Sequence, residues 1–227
     1  GGGLSDAYIH HHVYALKLFF AYLEQIGEIT NNPMSVMKFR RPDYNARKPL
    51  SKLDIKSLFD ICNNAQETAM LHLFYSCGLR RSEGMMLNVK DLHFRSRCLY
   101  VREGKGAKRR AVPMTAKVSR ELETYYLHHR ISLNPSEDAF MLNSRGNRMS
   151  GNSFNKMLKE ILSRTTIKEE VSLHHLRHSI ATHLLENGLS FEYIRDFLGH
   201  SNLESTQIYA QVNNNQILSI DEQQSHP

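Results

Sequence analysis

Apolar residues recur at helical spacing near the start of the chain. Residues 8–27, YIHHHVYALKLFFAYLEQIG, repeat them at steps of three and four, which predicts an amphipathic helix, and Asn32-Pro33 predicts a turn after it. Over residues 39–50, FRRPDYNARKPL, charged residues and two prolines interrupt the pattern. This interruption predicts a linker between a small helical segment, residues 1–38, and a larger domain.

Two helices are expected directly after the linker. Ser51 and Asp54 have the spacing of cap residues for a helix that extends through Cys62. A second, apolar helix is predicted from about residue 66 to residue 77, where Gly78 ends it. This end of the helix brings Arg80 to the following turn.

Strand-like segments replace the helical pattern between residues 89 and 114. CLYVRE and RRAVPM are joined by GKGAK, which is typical of a hairpin turn and would carry Lys105. Helical spacing returns at about residues 116–130 and 150–163. Together the elements predict a mainly α fold with a small antiparallel β-sheet.

The stretch that begins at His174 has one polar and one apolar face. His174 and Arg177 are three residues apart and so share one side of a helix. The other side can be buried and consists of Leu176, Ile180, Ala181, Leu184 and Leu185. We therefore expect a packed helix that presents the polar pair.

Two further short helices are predicted before the chain ends. An Asn-Gly stop at residues 187–188 and an N-cap at Ser190 delimit FEYIRDFL, which Gly199 ends. Residues 201–204 then have the S-x-x-E spacing of a capping box, so Tyr209 should lie on or just after a third helix. The three helices could converge on one pocket.

The side chains of this region suit phosphoryl transfer. Arginine binds phosphate oxygens with a planar fork of donors, histidine moves protons near neutral pH, and a phenol can attack phosphorus. The residues that suggest this chemistry are, in order, His174, Arg177, His200 and Tyr209. A phenol with its ordinary pKa near ~10 needs cationic neighbours or a proton acceptor to attack.

Charge and composition agree with an anionic partner. The 227 residues carry a formal net charge of +6, and 41% of them are hydrophobic, enough for a full core. Between residues 95 and 110, seven basic residues stand against Glu103 alone. Beside a predicted phosphate site, contact with the DNA backbone explains this run better than a solvated face does.

The cysteines and the hydropathy indicate a soluble protein of a reducing compartment. Cys62, Cys77 and Cys98 are odd in number, have no C-x-x-C spacing and lie in apolar segments. No stretch is apolar enough to span a bilayer, and no signal-peptide pattern opens the chain. We expect a cytoplasmic location.

With these features the chain resembles the tyrosine recombinases of the phage-integrase and Xer type. The family's G-L-R-x-S-E segment matches residues 78–83, and its G-K-G-x-K-x-R-x-V-P hairpin matches residues 104–113. H-x-L-R-H follows at 174–178, L-G-H-S at 198–201 and T-x-x-Y at 206–209. The blocks occur in the family's order, and each would be weak alone.

The resemblance implies a catalytic set of six residues: Arg80, Lys105, His174, Arg177, His200 and Tyr209. Arg80 and Arg177 would bind the scissile phosphate with help from His200. Lys105 would protonate the departing 5′ oxygen, with Lys108 as its rival, and His174 would assist proton transfer. Tyr209 would form the 3′-phosphotyrosyl bond.

Further roles follow from the same resemblance. Glu83 and His178 would support the pocket, Glu83 by orienting the arginines. Contacts with the DNA backbone are expected from Arg81, Arg102, Lys108, Arg109 and Arg110. The expected partner is double-stranded DNA, on which four copies would form a homotetramer. Without DNA, the protein could be a monomer. No cofactor, metal or membrane is expected, and a bacterial, nucleoid-associated location is implied.

The resemblance also assigns domains. Residues 1–38 match only the last part of the family's core-binding domain, which clamps DNA, so the chain is expected to be a piece of a longer protein. Residues 39–50 are the linker and residues 51–210 the catalytic domain. Residues 211–227 form a tail that either docks on a neighbouring protomer or frays; docking is favoured.

Other functions remain to be weighed. A type IB topoisomerase would use the same chemistry to relax supercoils, but the short catalytic domain and the Xer-like motifs argue against it. A DNA-binding module without catalysis is disfavoured because no catalytic position is replaced. A metal hydrolase built on His174, His175 and His178 lacks a nearby carboxylate. The DNA site, and the choice among integration, excision, inversion and resolution, stay open.

Overall fold

A computed structural model describes residues 6–37, 48–102 and 110–199. The chain divides into two compact units between Lys48 and Pro49. This division falls inside the segment predicted as a linker. Among the described residues, no helix combines the length and the apolar character needed to cross a membrane.

The first unit is built on one long helix. Helix α1, Asp6–Gln25, covers the segment whose apolar spacing predicted it. A turn follows, in which the backbone N–H of Met34 donates to Oδ1 of Asn32 at 2.9 Å. Tyr14, Leu18 and Tyr22 of α1 are each more than half exposed. Much of the apolar surface of this helix is therefore open.

The second unit begins with the predicted helices. Helix α2, Lys52–Asp60, starts at Ser51, whose hydroxyl accepts from the Asp54 N–H while the Asp54 carboxylate accepts from the Ser51 N–H. Helix α3, Ala65–Leu71, continues as a π-helical turn, His72–Ser76. The single helix expected over this stretch thus widens in its second half, a geometry that periodicity does not reveal.

Three short strands form an antiparallel sheet within the described residues. Strand β1 is Leu92–His93, β2 is Cys98–Val101 and β3 is Arg110–Pro113, in the order β1-β2-β3. The pairing of β2 with β3 confirms the predicted hairpin. Strand β1 was not predicted, because two residues are too few to show alternation.

The other helices that the structure describes also belong to the second unit. Their bounds are α4 Arg81–Met86, α5 Ala116–Tyr125 with a π-helical turn Tyr126–Arg130, α6 Ile131–Leu133, α7 Gly151–Leu162, α8 Leu173–Glu186 and α9 Phe191–Leu198. A short 3₁₀ turn, Val89–Asp91, links α4 to β1. The fold is therefore mainly α with a small antiparallel sheet, as expected.

Aromatic side chains pack against each other in the core of the second unit. The rings of Phe74 and Phe154 meet edge to face at 5.0 Å, and both side chains are fully buried. Helix α8 contributes Leu176 and Ala181 to the core, as its apolar spacing predicted. It also buries Arg177, which is 2% exposed. The polar face expected on α8 is therefore not wholly exposed.

Gly84 lies in α4 directly above the core ring of Phe74. Helix propensity alone would favour Gly84→Ala by up to ~1 kcal/mol. A Cβ at this position, however, would lie 2.6 Å from Cζ of Phe74, whose ring is held by Phe154. We predict that Gly84→Ala lowers the free energy of unfolding by roughly 1–3 kcal/mol, measured by urea denaturation.

A second substitution separates the clash from the propensity. Phe74→Leu removes the ring atoms that the new methyl group would meet. The double variant should therefore be more stable than the sum of the two single changes predicts. If Gly84→Ala alone stabilises the protein, the predicted clash does not exist.

Candidate active site

Arg80 and Glu83 are placed by the start of α4. Arg80 is the N-cap residue, and its backbone N–H donates to Oε2 of Glu83 at 2.6 Å. Its guanidinium donates through Nη1 to Oε1 of Glu83 at 2.8 Å. A glutamate at the third helical position that reaches back to the N-cap is the second half of a capping box. The local sequence thereby fixes both side chains.

Two arginines from distant elements reach the same carboxylate. Arg110 of β3 binds it with two parallel bonds, from Nη1 to Oε1 at 2.7 Å and from Nη2 to Oε2 at 2.9 Å. Nη1 of Arg177, on α8, lies 3.7 Å from Oε2. Glu83, with Arg80, Arg110 and Arg177 around it, is referred to below as the arginine cluster.

The same arginines bind the carbonyl end of α9. Nε of Arg110 donates to the Phe197 carbonyl at 3.0 Å, Nη2 of Arg177 to Leu198 at 2.7 Å and Nη2 of Arg80 to Gly199 at 2.7 Å. Carbonyls at the end of a helix lack partners within the helix and carry partial negative charge. Three consecutive carbonyls are therefore satisfied by three different arginines.

Two glycines permit this close approach. Gly78 and Gly199 both have left-handed backbone conformations, with φ of +58° and +65°. A Cβ on Gly78 would lie 2.8 Å from Leu198, and a Cβ on Gly199 would lie 2.9 Å from Cδ of Arg110. Arg177 joins the two turns, because it donates to the carbonyls of both Gly78 and Leu198.

The cluster keeps Glu83 ionised although its side chain is only 7% exposed. Burial by itself would raise the pKa of Glu83. The hydrogen bonds and charge of Arg110, the Arg80 backbone N–H and the charge of Arg177 outweigh burial and lower this pKa to about 2. Three positive charges and one negative charge leave the cluster with a net charge of +2.

The histidines of α8 have unequal exposure. His174 is exposed, His175 is buried and His178 is half-buried. The rings of His175 and His178 have centroids 6.5 Å apart. Among the residues that the structure describes, no three His, Cys, Asp or Glu side chains are grouped to hold a metal ion. The structure thus leaves His174 accessible on the helix that buries Arg177.

Several predicted residues lie outside the described ranges. In the catalytic set these are Lys105, His200 and Tyr209, and among the predicted DNA contacts they are Lys108 and Arg109. The described part of the site brings together Arg80, Glu83 and Arg177. The roles assigned to all of these residues stay predictions.

The predicted DNA contacts that are described differ in exposure. Arg81 is exposed. The side chain of Arg102 is 38% exposed and donates through Nε and Nη2 to Oδ1 of Asp91, at 2.8 and 2.5 Å. Arg110 is 11% exposed and belongs to the arginine cluster. Their contacts with DNA stay predictions.

Sequence reasoning missed the place of Arg110, although one signal was present. Alternate residues of a strand share a face, so Arg110 lies on the same side of β3 as Val112. Val112 is fully buried and pairs with the equally buried Leu99, while Arg110 pairs with Val101. Alternation in RRAVPM would have placed this arginine on the buried face.

Known proteins match the chain in sequence and in structure. The phage integrase family matches residues 48–216. Tyrosine recombinase XerD of Oceanobacillus iheyensis is 35% identical over 220 residues, covering 92% of this chain and 73% of that protein. Both matches contain the whole arginine cluster within their spans.

Solved recombinase structures share the fold. A crystal structure of XerA recombinase has a TM-score of 0.70 at 25% identity, covering 99% of this chain and 78% of the other. XerH site-specific recombinase, solved with palindromic difH substrate in a post-cleavage complex, has a TM-score of 0.79 at 21% identity, covering 97% and 68%.

The lowered pKa of Glu83 makes stability depend on pH. Its contribution is fully present above the ordinary value of 4.5 and is lost as the pH falls towards about 2. We predict that wild type exceeds Glu83→Gln in free energy of unfolding by on the order of 3 kcal/mol at neutral pH, and that this difference shrinks as the pH falls through that window. Urea unfolding at each pH measures it.

The control for this measurement is an exposed carboxylate. Glu169 is exposed in the loop before α8, so Glu169→Gln should follow the wild-type curve at every pH. A difference between wild type and Glu83→Gln that stays constant down to the lower limit would contradict the assignment.

Proposed function

The chain belongs to the phage integrase family and is a tyrosine recombinase, and on that premise we propose how it cleaves and rejoins DNA at specific sites. The observation that carries the proposal is the arginine cluster, in which Arg80 and Arg177 meet on one buried carboxylate. Guanidiniums held in fixed positions are what the binding of a scissile phosphodiester requires. The relatives matched above are recombinases, so DNA relaxation and passive DNA binding are not favoured.

Arg80 and Arg177 would act on the phosphate in different ways. The Arg80 side chain is 37% exposed, so it would donate directly to the non-bridging oxygens. Arg177 is 2% exposed and would act through its charge from inside the protein, where the low dielectric strengthens its attraction for the phosphate. Both would stabilise the negative charge that develops around phosphorus, and loss of one such donor typically costs ~100–1,000-fold in rate.

The covalent step would follow the resemblance residue by residue. The Tyr209 oxygen would bond to phosphorus while the bond from phosphorus to the 5′ oxygen breaks, leaving a 3′-phosphotyrosyl intermediate. Lys105 would give the departing 5′ oxygen its proton. His174 would assist proton transfer, and His200 would add a hydrogen bond to the phosphate. Attack by a 5′-hydroxyl of the exchanged strand would reverse these bond changes and rejoin the DNA.

Double-stranded DNA is the proposed substrate. The net charge of +6 supports an anionic partner, and the XerH recombinase of the same fold was solved bound to its difH substrate. We propose that residues 1–38 help to clamp this DNA, that four copies assemble on it and that residues 211–227 dock on a neighbouring copy. The biological outcome would be integration and excision of a mobile element, or inversion and resolution.

The nucleophile is tested first. We predict that Tyr209→Phe abolishes the covalent adduct on a nicked suicide substrate, from which a short fragment escapes so that the intermediate accumulates. DNA binding should change little, because only the attacking oxygen is removed. Adducts are counted by denaturing gel electrophoresis, and binding is measured by titration.

A second tyrosine provides the matched control. Tyr193 is 45% exposed on α9, in the same part of the chain. Tyr193→Phe should therefore keep wild-type adduct yield. Adduct formation by Tyr209→Phe at the wild-type level would disprove the assignment of the nucleophile.

Another prediction separates Lys105 from Lys108 as the general acid. Residues three apart in a tight hairpin fall on opposite sides, so only one ammonium should reach the leaving oxygen. Lys105→Ala should slow cleavage of ordinary DNA strongly, yet recover on a 5′-phosphorothiolate, whose sulfur leaves without protonation. Lys108→Ala should weaken binding and its salt dependence.

The sulfur substrate also shows the opposite outcome clearly. If the 5′-phosphorothiolate restores cleavage by the Lys108 variant and not by the Lys105 variant, Lys108 is the general acid and the assignment to Lys105 is wrong. The cleavage rate is measured in single-turnover reactions at saturating DNA, so that weakened binding does not imitate slow chemistry.

A further inference from the structure

Arg110 joins three elements through a single side chain. Its guanidinium binds both carboxylate oxygens of Glu83 on α4, while Nε donates to the Phe197 carbonyl on α9. All three guanidinium nitrogens are thus engaged inside the protein. Because the side chain is 11% exposed, little of it faces solvent. An arginine whose main task is to bind backbone phosphates would present its donors outwards.

The charge of Arg110 bears on the two arginines proposed to act on phosphate. Glu83 also contacts Arg80 at 2.8 Å and approaches Arg177 at 3.7 Å. While Arg110 binds this carboxylate bidentately, the charges of Arg80 and Arg177 are not needed to neutralise it. Without Arg110 the net charge of the cluster would fall from +2 to +1. Glu83 would then draw the other two guanidiniums towards itself.

The position of Arg110 in the chain adds a second consequence. It begins β3 and follows directly on the segment that carries Lys105, the proposed general acid. Its bonds to Glu83 and Phe197 fix the start of β3 relative to α4 and α9. A shift of this strand end would therefore move Arg110 away from the carboxylate that it shares with Arg80 and Arg177.

We propose that Arg110 is a positioning residue for DNA cleavage, which neutralises Glu83 and anchors the start of β3 to α4 and α9, and that it does not serve as a contact to the DNA backbone. This inference rests on the proposed function. It concerns a residue that acts through Glu83, without touching the reacting atoms. Its loss should therefore affect the rate of cleavage much more than the affinity for DNA.

The test compares Arg110→Ala with Arg120→Ala on a nicked suicide substrate. Arg120 is exposed on α5, so its variant loses the same charge away from the cluster. At saturating DNA, Arg110→Ala should cleave roughly 10–100-fold more slowly than wild type, the scale expected for misplaced catalytic groups. Arg120→Ala should cleave at the wild-type rate.

Affinity as a function of salt distinguishes positioning from phosphate contact. A lost phosphate contact reduces the slope of log affinity against log salt by about 0.9. For Arg110→Ala we expect the wild-type slope. A slope reduced by about 0.9, with an unchanged cleavage rate at saturating DNA, would overturn the inference and establish Arg110 as a DNA contact.

Two further variants distinguish the mechanism from a general loss of structure. Arg110→Lys keeps the charge but cannot form the two-pronged bond, so it should recover only part of the rate. It also carries the test if thermal unfolding shows that Arg110→Ala is unfolded at the assay temperature. If Arg110→Lys cleaves at the wild-type rate, the charge of residue 110 alone accounts for its effect on cleavage, and the anchoring role is overturned.

Glu83→Gln supplies the last arm, a double-variant cycle. If Arg110 acts through Glu83, the combined variant should be no slower than the slower single variant, whereas multiplied effects would overturn the inference. The same measurements distinguish failure of the proposed function from failure of this inference. Absence of any adduct from wild type would overturn both proposals, while adduct formation by wild type and Arg110→Ala at equal rates would overturn this inference alone.

Discussion

The buried carboxylate of Glu83 is the constraint on which the described half of the site depends. A charge removed from water is tolerated only when opposite charges and hydrogen bonds surround it. Here the compensating groups come from α4, β3 and α8, which are far apart in the chain. A carboxylate has two oxygens and few lone pairs, so three guanidiniums must approach it in defined directions. Their spacing is consequently set by Glu83 as much as by the backbone.

The end of α9 is the second surface that orders the arginines. Its last carbonyls carry the negative end of the helix dipole and accept one bond from each arginine. The left-handed turn at Gly199 directs the third of these carbonyls towards Arg80. The next residue in the chain is His200, and Tyr209 follows nine positions later. The groups proposed to hold phosphate are thus joined to the start of the segment that carries the proposed nucleophile.

Sequence predicted the elements of this site better than the contacts between them. The capping of α2, the hairpin, α8 and the glycine end of α9 all depend on local preferences, and the structure confirms them. The π-helical turn at residues 72–76 leaves no periodic signature, and β1 is too short to show one. These misses reflect tertiary packing, which local patterns do not contain.

The arginines show the same limit in the site. Arg80 and Arg177 were paired through a resemblance, since nothing local relates residues 97 positions apart. By sequence, Arg110 belongs to a run of basic residues, and most basic residues in proteins are exposed to solvent. Its burial depends on Glu83, which lies on another element. The partner of a buried charge is a tertiary property, so strand alternation can indicate that Arg110 points inwards without saying what it meets.

Three guanidiniums around one carboxylate suit the proposed reaction better than stability alone would require. Complete neutralisation of the guanidiniums would reduce the repulsion between them. It would also weaken the attraction for the phosphate that the proposed reaction requires. Among the described residues, the bidentate pair of Arg110 with Glu83 and the carbonyls of α9 reduce this repulsion. Under the proposed function, these guanidiniums are oriented before substrate arrives, so little reorganisation would be needed when negative charge develops on phosphorus.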